Sequence, residues 1–430
     1  MSKYLCRVCN LYIYDEKKGE SKFNHPPGTS FDSLPESFRC PVCNAKKEFF
    51  RKLAKEEEDA AVKKYEAYLA NLQSSKDEKL TLVQVRDRAR ERMAGICAVN
   101  RVCDGEPDRL CIGQTYGLSI GLGGVGKGLS FTANVKALDI IKLKTRLISK
   151  HSDPDMSTNF LGKKISLPVM TSSLSGVNAS MGGSISEKDF AEYILKGAKD
   201  ANTIGWIGNT CDEGQETTGV NAVKTVGLGI PIFKPQANKR LLELIKMAEE
   251  ADAVAVGVDL DGVGSTNWER ADKPVYRKSV DDIKELVDST DLPFIVKGIM
   301  NPDDAREALV AGVKVIDVSN HGGRALDSTR GVADVLPEIV KVVKGKIAVT
   351  AGGGIRTGFD VLKVLALGAD AALIGRDIAR SAIGGGAEGV ALHFKYLKSE
   401  IRRGMILTSC NSIDDIDDSI IDKRLKKIGE

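Results

Sequence analysis

Two pairs of cysteines open the sequence, Cys6-x-x-Cys9 and Cys40-x-x-Cys43. Two residues between thiols let one tight turn present both sulfurs to a single ion, and four thiolates suit tetrahedral zinc or iron. A second set of reactive types gathers much later. Lys297 stands before Gly298, Asp259 closes the run AVAVGVD, and SNHGGRALD (319–327) carries His321 and Arg324. A carboxylate beside an imidazole fixes its tautomer and raises its basicity, so His321 with Asp259 as orienter is a candidate general base. Arg324 offers a clamp for a carboxylate; its bland reading is a surface ion pair. AGGGIRTG (351–358) and IGR (374–376) place Gly352, Gly353, Gly354 and Gly375 at two turns, each with an arginine, Arg356 and Arg376. Glycines also serve plain tight turns. Two such turns with exposed N–H groups and guanidinium charge point to phosphate binding.

These residues need elements to hold them. Eight short apolar runs read as buried parallel strands: LPVMT (167–171), TIGWIG (203–208), IPIF (230–233), AVAVGV (253–258), PFIVK (293–297), VKVIDVS (313–319), KIAVT (346–350) and DAALIG (370–375). Helical patterns such as KRLLELIKMAEEA lie between most of them. Continuous apolar strands alternating with helices imply a sheet covered on both faces, and eight units fit a (β/α)8 TIM barrel; a doubly wound open sheet is the alternative. The polar and glycine-rich signatures fall after the strands, where such a barrel does its chemistry.

The first 50 residues differ in kind. They hold eight of the chain's 23 aromatic residues, among them Tyr4, Tyr12, Tyr14, Phe31 and Phe38. So short a segment cannot build a sufficient apolar core alone, and a metal would staple it. We divide the chain into a small metal-binding domain (1–52), a charged helical linker (53–80) and a barrel with its lead-in (81–430). The linker reads as an exposed spacer helix or as a helix packed on a neighbour, with SSKDEK (74–79) as a polar hinge.

Composition narrows the function. Lys and Arg number 62 against 59 acidic residues, too balanced for a nucleic-acid or anionic-membrane partner. No run of about 18 apolar residues exists to span a membrane. Nine cysteines, an odd count, without a secretory pattern at MSKYLCRVCN argue for a reducing cytoplasm rather than a disulfide framework. Cys97, Cys103 and Cys111 read as buried or loop thiols; part of an iron–sulfur ligand set is the alternative, without an evident fourth ligand.

Residues 3–51 resemble rubredoxin through YLCRVCNLYIYD and PPGTSFDSLPESFRCPVCNAKKEFF, with Pro41 between the second pair. The resemblance implies one iron on Cys6, Cys9, Cys40 and Cys43, carrying one electron; a structural zinc ribbon is the rival. The family usually has Gly after each pair, where this chain has Asn10 and Asn44, and Asn tolerates the left-handed backbone such a turn needs.

From about 110 to 413 the chain resembles the FMN-dependent α-hydroxy-acid dehydrogenase/oxidase family, in LPFIVKGIMNPDDAREAL, IDVSNHGGRALD, GGIRTGFDVLKVLALGAD, LIGR and GAEGVALHF. What the resemblance implies is specific. His321 would be the base, Asp259 its partner and Arg324 the substrate-carboxylate ligand. Lys297 would stabilise anionic, reduced FMN. Ser172 and Ser319 would line the isoalloxazine, with Gly353, Gly354, Arg356, Gly375 and Arg376 around the phosphate. Departures are visible too. Gly352 stands where the family has Asp, Gly121 and Gln236 fall near its substrate tyrosines, and Gly264 and Ser265 occupy the place of a second substrate arginine. One carboxylate clamp of two remains, which argues against a simple 2-hydroxy acid. The combined expectation is a small-molecule oxidoreductase passing electrons between substrate, FMN and iron. An external redox partner and a homo-oligomer are further expectations. A non-redox or nucleotide-acting flavin barrel carrying a zinc module is the alternative.

Overall fold

The structure, a computed structural model, describes residues 2–7, 11–20, 25–41, 45–74, 80–93, 122–150 and 152–422. Cys9, Cys43, Asn10, Asn44, Gly121 and the thiols at 97, 103 and 111 lie outside the described residues.

At the amino-terminal end β1 (Lys3–Cys6), β2 (Ile13–Asp15) and β3 (Phe50–Lys52) form an antiparallel sheet in the order β2-β1-β3. Its core is aromatic and sulfurous: Cys6, Tyr12, Tyr14, Phe31, Leu34, Phe38 and Cys40 are all buried. Tyr4 stacks on Phe31 with ring centroids 4.1 Å apart, the kind of contact that lets so few residues exclude water. Helix α1 (Lys55–Ser74) follows. Ala61, Val62 and Tyr65 pack on Leu5, Ile13 and Leu53 of the small domain. The first part of the linker is therefore a helix packed on a neighbour, because its few apolar residues share one face; the spacer reading does not hold there.

Thr81 caps α2 (Leu82–Arg92) by a reciprocal bond with Gln84. Then come α3 (Leu129–Ile140) and a hairpin of β4 (Thr158–Phe160) and β5 (Lys163–Ile165). Eight parallel strands alternate with helices beyond that point. They are β6 (Val169–Thr171), β7 (Trp206–Gly208), β8 (Ile230–Phe233), β9 (Val256–Asp259), β10 (Phe294–Ile299), β11 (Val315–Ser319), β12 (Ala348–Gly352) and β13 (Ala371–Ile374). The helices are α4 (Val177–Ser180), α5 (Glu187–Asp200), α6 (Thr218–Val226), α7 (Asn238–Glu250), α8 (Thr266–Arg270), α9 (Val280–Asp288), α10 (Pro302–Val310), α11 (Val332–Val343), α12 (Gly358–Ala366) and α13 (Arg376–Thr408).

The sheet order is β6-β13-β12-β11-β10-β9-β8-β7, which returns the last strand to the first. The β6/β7 seam is sewn by Thr171, whose hydroxyl donates to Trp206 O and accepts from Trp206 N, and by Gly208 N donating to Leu174 O. This is a nearly closed eight-stranded barrel, not an open sheet. Met170, Trp206, Ile230, Ile232, Ile295, Val315 and Leu373 fill its interior, and Phe160 and Ile165 of the hairpin join them. On the helical side a larger apolar cluster seats the outer layer. No described helix is long and apolar enough to cross a membrane.

Candidate active site at the barrel mouth

Strand period two carries the interior from apolar to charged. On β10 Ile295 belongs to the apolar filling and Lys297, two residues on, to a buried ionic layer; on β11 Val315 is followed in the same way by Asp317 and Ser319. Register aligns Lys297 with Asp259 on one side and Asp317 on the other. Lys297 Nζ donates to Asp259 Oδ1 at 2.8 Å and lies 3.8 Å from Asp261 Oδ1. Lys234, directly after β8, donates to Asp259 Oδ2. Asp317 Oδ1 accepts from Thr350 Oγ1 at 2.9 Å, while its Oδ2 has no hydrogen-bond partner among the described residues.

Burial would neutralise these groups singly; together they hold their charges. Burial lowers the Lys297 pKa, but Asp259, then Asp261 and Asp317, outweigh it and raise it above the usual lysine range. Asp259 is driven well below the usual carboxylate range: burial opposes this, and Lys234, Lys297 and His321 overcome it. Asp317 is pushed up to about 6, because burial outweighs Lys297 and the Thr350 bond.

His321 begins the loop after β11 with φ of 56°, an uncommon backbone for a side chain of its size and one that marks functional sites. Ser319 Oγ accepts from its N–H at 3.1 Å and steadies the turn. The imidazole meets two carboxylates: Nδ1 is 2.8 Å from Asp261 Oδ1 and 3.4 Å from Asp259 Oδ2. Asp259, the partner expected from the sequence, therefore faces the ring together with Asp261, which makes the shorter contact. Asp261, Lys234 and Asp317 were not anticipated. Asp259, Asp261 and His321 lie close enough to resemble a metal triad, but the two ammonium groups already supply the positive charge.

Most of the expected residues share one cleft that opens to solvent at the barrel mouth. Ser172, Lys297, Ser319, His321 and Arg324 line it, as do Gly352, Gly353, Gly354, Arg356, Gly375 and Arg376. Asp259 lies behind this lining, 2% exposed. The two lip arginines are tethered. Arg324 Nη1 donates to Gly123 O at 3.0 Å. Arg376 donates to Leu122 O at 2.6 Å and Gly322 O at 2.7 Å, with its guanidinium 4.3 Å from the Phe131 ring centroid. Both thus fasten the lead-in before α3 to the barrel. Where a second arginine is lacking, Ser265, Thr266 and Asn267 line the wall.

The family profile of FMN-dependent dehydrogenases matches residues 121–279 and 269–423, and the rubredoxin profile matches 3–50. The chain belongs to the FMN-dependent dehydrogenase family. Human 2-hydroxyacid oxidase 1 is 32% identical over 330 residues, 67% of this chain and 87% of that protein. L-lactate oxidase from Nostoc sp. is 27% identical over 334 residues, 70% of this chain and 92% of that one. A solved mandelate oxidase with (S)-2-phenylpropionate shares 27% identity and a TM-score of 0.61, covering 78% of this chain and 96% of that one. The chain is an FMN-dependent oxidoreductase with a rubredoxin domain at its amino-terminal end, and the zinc-ribbon alternative gives way.

The residues present fit FMN. Among the described residues Ser173 Oγ and Asn209 Nδ2, both buried at the cleft, have no hydrogen-bond partner, as a ring with polar edges would require, and the glycine turns adjoin them. The donor chemistry also suits iron. Cys6 and Cys40, one from each pair, are both buried in the small aromatic core, where the Cys6 N–H donates to Tyr12 O at 3.0 Å and the Cys40 N–H to Ala45 O at 2.9 Å.

Proposed function

We propose that this enzyme oxidises a small hydroxy acid at the barrel mouth, with His321 as base, and that the rubredoxin iron is its one-electron exit. The observation that carries the reading is the meeting of His321, Lys297 and Arg324 at one cleft beside two glycine turns. Arg324 holds the substrate carboxylate. His321 Nδ1 is committed to a carboxylate, which leaves Nε2 to take the proton of the substrate hydroxyl. As that O–H bond breaks, the carbinol carbon gives up its hydrogen with two electrons and becomes a carbonyl. When bound, FMN supplies the two-electron acceptor and iron a one-electron route onward. Ser172, Ser319 and Lys297 would line the ring, with Gly352, Gly353, Gly354, Gly375, Arg356 and Arg376 toward the phosphate. Lys297, kept protonated by Asp259, offsets negative charge gained there.

Hydroxyls and an amide at Ser265, Thr266 and Asn267 replace a second guanidinium, so the far side of the substrate is polar and uncharged. Thiolate iron ligation fits a reducing compartment such as the cytoplasm. Covalent attachment raises the effective concentration of the iron near the barrel over that of a separate carrier.

An anaerobic screen of hydroxy acids, read by bleaching of the flavin band, tests the reading. His321→Ala should leave FMN bound and slow bleaching by about 10²-fold or more; unchanged bleaching removes His321 from the chemistry. Cys40→Ser should abolish the ferric-thiolate absorption and the iron-dependent turnover while artificial dyes still accept electrons. Persistence of the physiological acceptor reaction would exclude the small domain as exit.

A further inference from the structure

We infer that Asp261, not Asp259, is the positioning residue for His321, and that Asp259 has become the shared counter-ion of Lys234 and Lys297. The inference rests on His321 being the base.

Distances separate the two carboxylates. A good N–H···O bond spans about 2.7–3.2 Å. Asp261 Oδ1 lies inside that range at 2.8 Å; Asp259 Oδ2 lies outside it at 3.4 Å. Asp259 also accepts from Lys297 on Oδ1 and from Lys234 on Oδ2, so its charge is shared with two ammonium groups. Asp261 keeps an oxygen in reserve: Oδ2 has no hydrogen-bond partner among the described residues.

The backbone is cut to allow this. Asp261 sits in a short 3-10 turn, Leu260–Gly264, that crosses β10. At the crossing Gly298 has φ of 101°, and a Cβ there would lie 2.9 Å from Asp261 N and Cβ. Only glycine admits both that conformation and that approach. Gly262 makes the second clearance, since its Cβ would lie 2.5 Å from Lys234 Cδ. One glycine therefore lets Asp261 reach the imidazole, and the other lets Lys234 reach Asp259.

Each substitution would undo a different part. The charged groups around the ring are Asp259 and Asp261 from the end of β9, Lys234 from β8, Lys297 from β10 and, one layer down, Asp317 from β11. Accepting the Nδ1 proton, Asp261 selects the tautomer whose Nε2 lone pair is free, and it steadies the imidazolium formed when Nε2 takes a proton.

The chain has four histidines, so ¹⁵N-histidine labelling with His321→Gln assigns the His321 ring signals. In the FMN-loaded protein the Nδ1–H tautomer and a low-field Nδ1 proton are expected. Asp261→Asn should abolish that proton, slow flavin bleaching by about 10²-fold and move the acid limb of its pH profile, whereas Asp261→Glu should restore part of each. Lys234→Met should leave the Nδ1 proton in place. So should Asp259→Asn, and the double variant Lys234→Met/Asp259→Asn replaces it should the single one not fold, because it removes one charge of each sign. Retention of the low-field proton in Asp261→Asn, or its loss in the Asp259 variants alone, overturns the inference. Normal bleaching in His321→Gln would instead sink the base assignment and leave the ring-nitrogen result standing.

Discussion

The floor and the mouth of this barrel are made by the same strands, two residues apart. At the floor Trp206, Ile230, Ile295 and Val315 are held by apolar contact. One step up, Asp259, Lys297 and Asp317 are equally hidden from water yet held by charge. Burial at the floor is favourable in itself. At the mouth each burial is unfavourable unless a neighbour compensates, so the residues there are interdependent. The lesson is that both layers bear on stability, the floor by contact and the mouth by charge pairing, while the mouth alone answers to chemistry.

Substitutions sharpen that contrast. Lys297→Met should have the largest effect: it deprives buried Asp259 of a partner, and about 3–5 kcal/mol of stability in urea unfolding should go with a fall in flavin bleaching of about 10²-fold or more. A stable, active Lys297→Met protein would break the comparison. Trp206→Ala at the floor should cost a similar 3–5 kcal/mol, but flavin content and bleaching rate should hold below its unfolding transition.

Asp317→Asn should go the other way. The folded chain holds this carboxyl at about 6, above the roughly 3.9 of an unfolded chain. Its contribution to stability is therefore full below about pH 4 and lost as pH rises through 6. Asparagine has no such loss, so the variant should match the parent at pH 4 and exceed it by about 2 kcal/mol at pH 7 in urea titrations. A variant less stable at both pH values would show that Asp317 is needed as an anion. Ile295→Val should give the smallest effect, about 0.5–1.5 kcal/mol with unaltered bleaching.

The sequence made the barrel legible because buried strands are apolar throughout, and its glycine turns announced the cleft. Strand starts were less legible. TIGWIG begins three residues before β7 because Thr203 N still donates to Ala198 O, closing the turn that ends α5. AVAVGV begins early for the same reason, with Ala253 N bonded to Ala248 O. In the site, Lys297 and His321 stood out through their immediate neighbours. Asp261 and Lys234 did not, because which carboxylate the imidazole meets depends on how a turn after β9 crosses β10. The glycines at 298 and 262 were the available signal, and only the crossing gives them meaning.

Helix α2 lies against α13 so closely that a Cβ on Gly384 would collide with the Val85 carbonyl, and Arg92 donates to Ile383 O. That seam pins the chain just before the barrel to the helix that begins with Arg376. In the sequence five residues, 75–79, stand between the end of α1 and Leu80. The small domain is thus joined covalently, close in sequence, to the chain that this seam fixes. Inserting residues at that junction would lower the effective concentration of the small domain around its own barrel, a consequence of covalent fusion alone.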